Sequence, residues 1–62
     1  MPVYCVVYRI NNGSLYSKSY ENIVDAWDCY NSYIDIIKYF GGGIKLLQIG
    51  LNDFDVVSFA NA

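Results

Sequence analysis

From Ser19 to Phe40 the apolar side chains recur every three to four residues, and that period ends at Gly41-Gly42-Gly43. At about 100° per residue, Ile23, Ala26, Trp27, Tyr30, Tyr33, Ile34 and Ile37 fall within an arc of about 120°, the stripe of an amphipathic helix that must lie against another layer. Ser19 or Asn22 supplies an N-cap, the latter with Asp25 three residues on in a capping-box-like spacing. The acids of the first turns and Lys38 near the other end suit the helix dipole. The glycines then stop the helix, as glycine does at C′ positions.

The flanks carry a different period. Val3 to Ile10 is β-branched and aromatic, runs into Asn11-Asn12-Gly13, and is followed by the strand-like Ser14 to Tyr20. Asn and Gly accept the positive φ of a tight turn, so a two-residue Asn12-Gly13 loop or a three-residue loop from Asn11 to Gly13 closes a hairpin. Ile44–Ile49 and Phe54–Phe59 predict two more strands around the turn residues Gly50-Leu51-Asn52-Asp53. The order hairpin, helix, hairpin (ββαββ) makes an α+β fold, one helix packed on a mainly antiparallel four-stranded sheet. The whole chain, 1–62, is one domain, too short for two.

One helix covers one face of such a sheet, yet both faces of these strands are bulky. Tyr4, Val6, Tyr8 and Ile10 point one way and Val3, Cys5 and Val7 the other, while Ile44 and Leu46 oppose Leu47 and Ile49. A domain of this size buries only about 60% of the surface its unfolded chain exposes. An uncovered apolar face therefore predicts a two-fold homodimer, through sheet faces or edge strands. With seven tyrosines and one tryptophan in the chain, and aromatics enriched at interfaces, Tyr4, Tyr8 and Tyr16 are the candidate contact residues. Trp27, on the helical stripe, belongs to the intrachain core.

Composition narrows the chemistry. With 55% hydrophobic and 16% charged residues the chain is not a disordered tail. No histidine is present, which removes the side chain that titrates near neutral pH and with it Ser–His, Cys–His and His–metal sites. Cys5 and Cys29 are too far apart for a C-x-x-C motif, and reduced thiols are expected. No cofactor, no metal and no catalytic residue is expected. Glycoside chemistry through paired carboxylates needs a cleft larger than so small a core provides. The amino-terminal run lacks a basic segment before its apolar residues and is far shorter than the ~20 residues of a membrane span, so a cytoplasmic location and no membrane are expected.

The polar side of the helix gives a positive signal. Glu21, Asp25, Asp28 and Asp35 lie within an arc of about 80° and extend over about 21 Å of axis, a span comparable to a few phosphates along one strand of a duplex. No Lys or Arg follows these acids at the helix-stabilising fourth position. Asp53 and Asp55 form a secondary acidic loop but lack the further oxygen ligands of a calcium site. The glycine triplet follows a helix instead of preceding one, so it is a helix stop and not a phosphate loop. Arg9, Lys18, Lys38 and Lys45 are scattered and the net charge is −2, against direct nucleic-acid binding.

Between Val3 and Ile49, strands that precede an acid-bearing helix resemble, in architecture, the phage inhibitors of uracil-DNA glycosylase, and the size and a pI of about 4.5 are similar to those of many anti-CRISPR proteins. The resemblance implies a non-catalytic inhibitor from a phage or mobile element, acting in the host cytoplasm. Its target would be a host defence or DNA-repair protein, bound at a basic, nucleic-acid-facing surface by Glu21, Asp25, Asp28 and Asp35 as a DNA mimic. The alternatives are a homo-oligomeric assembly module and a protein that sequesters a small ligand in a tyrosine-lined dimer groove.

Overall fold

Residues 3–61 are described by a computed structural model. The chain runs β1 (Val3–Ile10), β2 (Tyr16–Tyr20), α1 (Ile23–Phe40), β3 (Gly42–Ile49) and β4 (Phe54–Asn61). The strands form one open sheet in the order β2-β1-β3-β4, every neighbour antiparallel. The architecture is the expected α+β arrangement, with α1 across one face.

The first hairpin is looser than either expected loop. Its last pair is Tyr8 with Tyr16, whereas on the other side β1 stays paired with β3 as far as Ile10 and Gly42. The backbone N–H of Asn11 donates to the Gly41 carbonyl at 2.7 Å and Gly13 donates to the Ile10 carbonyl at 3.0 Å. Asn11, at φ 54°, thus ties β1 to the end of the helix, and residues 11–15 arch over to β2.

Asn22, not Ser19, caps the helix. Its backbone is extended (φ −108°, ψ 127°) and its side-chain oxygen accepts from the Val24 N–H at 2.7 Å. Ser19 is held in β2 opposite Cys5. At the far end Gly41 turns at φ 95° and its N–H donates to the Ile37 carbonyl at 2.7 Å. Gly42 follows at φ 113°, where an added Cβ would run into the Arg9 carbonyl oxygen. The last two glycines begin β3, and at Gly42 only bare backbone fits so close to β1.

Between helix and sheet lies the core of Val6, Tyr8, Ala26, Tyr30, Ile37, Ile44 and Leu46. Val6 faces Leu46 and Tyr8 faces Ile44 across β1 and β3, and Ala26, Tyr30 and Ile37 recur on the helix at the spacing of one face. The buried Tyr30 hydroxyl accepts from Ser58 Oγ at 3.0 Å, which satisfies the polar group that accompanies the ring's burial. Trp27, expected in the core, is half-buried at its edge and meets Tyr30 in a T-shaped contact at 5.4 Å. Ile23 at the helix start is exposed.

A β-bulge interrupts the pairing of β3 and β4. Leu46 pairs with Ser58, but Leu47 pairs with Val56, leaving Val57 as the extra residue. One inserted residue reverses the phase of everything before it. Phe54 and Val56 come to the side of Ile49 and Leu47, away from the helix, while Asp55 faces the helix side opposite Gln48.

Candidate functional site

Alternation along the strands, with the register above, defines the second face of the sheet. Val3, Cys5, Val7 and Arg9 come from β1, Lys45, Leu47 and Ile49 from β3, and Phe54, Val56 and Phe59 from β4, all pointing away from α1. Nothing among the described residues covers them. Phe54 is 61% exposed and Phe59 63%, while Val6 and Leu46 on the other side of the same strands are at 0%. The uncovered apolar face expected from the strand composition is therefore present. It is made of aliphatic residues and two phenylalanines.

The candidate contact tyrosines do not lie on this face, and of Tyr4, Tyr8 and Tyr16 only Tyr16 is exposed. Tyr8 is buried beneath the helix and Tyr4 is half-buried on the same side. Tyr16 is exposed on the edge strand β2, opposite Tyr8 and stacked on its ring at 5.6 Å. Tyr8 stacks in turn on Tyr33 of the helix at 4.3 Å, so the three rings close the open flank of the core. Tyrosine suits that place because the ring is buried and the hydroxyl reaches the rim.

The hydroxyls at this rim perturb one another. Lys18 Nζ donates to the Tyr33 hydroxyl at 3.3 Å and lies 5.3 Å from the centre of that ring. Tyr8 is pushed up to about 12, first by its hydrogen-bonding neighbour Tyr33 and then by burial. Tyr33 is held below the ordinary phenol range, first by Tyr8 and then by Lys18. Lys18 is raised, chiefly by Tyr33. Tyr20 is raised, first by the adjoining Cys29 thiol. Cys29 lies on the helix and Cys5 on the open face, both as free thiols.

The acidic residues separate into three places. Asp25, Asp28 and Asp35 are exposed on one side of α1, pointing away from the sheet. Glu21 is exposed but precedes the cap Asn22, so it stands before the helix and is not part of the helical row. Asp53 closes the β3–β4 turn, its carbonyl accepting from the Gly50 N–H at 2.8 Å, and Asp55 is exposed on the helix side of β4. Among the described residues no three His, Cys, Asp or Glu side chains gather as a metal site would require, and no helix is long and apolar enough to cross a membrane. Among the described residues the molecule thus has an acidic helix side and a sheet side whose only charged side chains are Arg9 and Lys45. No family model matches the chain, and neither a curated protein nor a solved structure is significantly similar to it.

Strand alternation separates Val3, Cys5 and Val7 on one strand and Leu47 and Ile49 on another from their neighbours, and the register brings the two sets to one face. Phe54 and Val56 joined them only through the bulge, for which the sequence carries no proline or glycine signal.

Proposed function

We propose that the protein is a non-catalytic interaction module whose working surface is the open face of its sheet, and that a second copy of the chain occupies it. The observation that supports this is the continuous apolar run across β1, β3 and β4. Three strands of eight residues at spacings of about 4.8 Å and 3.3 Å per residue give a footprint of about 380 Å² before side-chain relief is counted. That footprint covers the whole face; its apolar positions, leaving out Arg9, Gly43, Lys45 and Asn61, make up about 250 Å² of it, to which the exposed rings of Phe54 and Phe59 add relief.

The charges favour a two-fold pairing. Arg9 and Lys45 lie toward the Gly43 end of the sheet, and the other end, with Val3, Ile49, Phe54 and Val56, carries no charged side chain on this face among the described residues. A two-fold axis through the uncharged half brings apolar rows together and keeps the two basic ends apart. Phe54 and Val56 are the anchors of such a contact. Replacing both by serine is expected to halve the mass in light scattering, from a pair to the single 7.1 kDa chain, with the helix content unchanged. A wild type of that single mass at high concentration would refute the pairing.

Face-to-face pairing leaves both helices outside, and this supports a second role. Asp25, Asp28 and Asp35, with Glu21 beside them, form an outward acidic row that fits the basic, nucleic-acid-facing surface of another protein, such as a defence or repair protein blocked by a small inhibitor. Reversing Asp25 and Asp28 to lysine is expected to slow that association and weaken its salt dependence without disturbing self-association. Inhibition that survives the reversal would remove the acidic row from the mechanism.

A further inference from the structure

At the Gly43 end of the open face lies a half-open hollow of about 630 Å³. Its construction follows from the strand register. Arg9, Gly43 and Asn61 form one row across β1, β3 and β4, and Val7, Lys45 and Phe59 form the next row on the same face. Glycine at the centre of the first row leaves the floor as bare backbone, and an added Cβ there would meet Asn61 Oδ1 at 2.9 Å. Arg9 and Lys45, diagonal neighbours on adjacent strands, stand about 7–8 Å apart at their backbones, with no side chain on Gly43 between them. Leu15, from the arched loop after β1, and Val7 supply apolar walls, and Asn11, Asn12 and Asn61 line the remainder.

Among the described residues no acidic side chain lines this hollow, although the chain as a whole is at −2. Neither Arg9 nor Lys45 takes part in the side-chain hydrogen bonds of the described residues, which employ Lys18 instead. The carbonyl end of α1 is nearby and carries about half a negative charge. It is answered locally: the Gly41 N–H caps Ile37, Asn11 donates to the Gly41 carbonyl, and Lys38 stands in the last turn. Two full positive charges on the open face outweigh that residue of the dipole.

We propose that this hollow binds a small organic anion, its carboxylate or phosphate held between Arg9 and Lys45 over Gly43 and its apolar body against Leu15 and Val7. The guanidinium offers a planar pair of donors and the ammonium a point charge, and the asparagines supply neutral donors at the rim. The site lies outside the apolar half of the face assigned to a second copy, so it is present in one chain as in two.

The test is a nuclear magnetic resonance titration of the whole protein with phenyl phosphate, with inorganic phosphate and benzoate as parallel arms. Saturable shifts are expected at the amides of Asn11, Asn12 and residues 41–43. Arg9→Gln with Lys45→Gln should weaken them at least tenfold, while Arg9→Lys retains part of the affinity. Both positions are exposed, and a thermal melt confirms that the variants fold. Benzoate binding at the same amides supports recognition of the charge rather than of phosphorus; binding by phenyl phosphate alone would overturn the carboxylate half of the proposal. Inorganic phosphate binding as tightly as phenyl phosphate would overturn the role of Leu15 and Val7. Shifts that do not saturate, that survive the double substitution, or that centre on Lys18 or Lys38 would overturn the site. The titration is read with Phe54→Ser/Val56→Ser as well, where loss of pairing with retained anion binding separates the two proposals.

Discussion

The two faces of the sheet are built from the same strands and differ in what happens to alternate residues. Toward the helix, Val6, Ile44 and Leu46 are sealed against Ala26, Tyr30 and Ile37. Away from it, Val3, Leu47, Val56 and Phe59 are as apolar but only partly covered or exposed. Composition therefore does not decide burial here; the number of layers does. A chain of 62 residues has one helix to spend and two faces to cover, so its second face is either a solvent-exposed liability or an interface.

The sharpest way to break that comparison is to truncate matched residues on the two sides. Ile37→Ala removes a fully buried side chain and is expected to cost about 2–5 kcal/mol whatever the protein concentration. Trp27→Ala, at the half-buried edge, should cost about 2 kcal/mol, less than the ~3–5 of a wholly buried aromatic. Phe59→Ser, on the open face beside Lys45, should change the stability of the single chain by only about 0.5 kcal/mol, and any weakening of a pair by it would show as a lower apparent stability that depends less steeply on protein concentration. Urea melts at two concentrations give all three. An Ile37→Ala cost below that of Phe59→Ser would invert the assignment of the faces.

A finer test concerns the tyrosine flank. Tyr8 loses its proton near 12 in the folded chain against 10.0 unfolded, so its contribution to stability is complete below pH 10 and is lost as pH rises from 10 to about 12. Tyr33 is shifted downward, so its contribution is present above the ordinary phenol value and lost as pH falls through its own lowered value. Phenolate absorbance should show Tyr33 ionising below the usual phenol value and Tyr8 near 12. Lys18→Gln should move Tyr33 upward. Seven tyrosines titrating together would mean that the stacked flank does not form.

What could be read in the sequence was governed by local rules. The helical stripe, the Asn22 cap, the glycine stop and the ββαββ order are each set by residues close together in the chain, and they reappear in the structure. The features that escaped depend on partners distant in sequence. Asn12-Gly13 has the chemistry of a tight turn, but the Asn11 N–H bonds to the distant Gly41 carbonyl and residues 11–15 form a longer loop. Phe54 to Phe59 is apolar in both phases, so nothing local marks Val57 as the bulged residue. Tyr4, Tyr8 and Tyr16 read as contact residues because interfaces favour aromatics, but the register puts all three on the helix side of the sheet, where Tyr8 is buried and only Tyr16, on the edge strand, is exposed. The acids of α1 were legible as a row, and only the cap position showed that Glu21 stands outside it.

Sedimentation equilibrium of the unmodified chain across a hundredfold dilution tests most directly whether the open face is an interface. A two-fold pair at the highest concentration, dissociating reversibly into single chains on dilution, is the expected result. A single species of 7.1 kDa at every concentration would show instead that the apolar face stands exposed with no second copy to cover it.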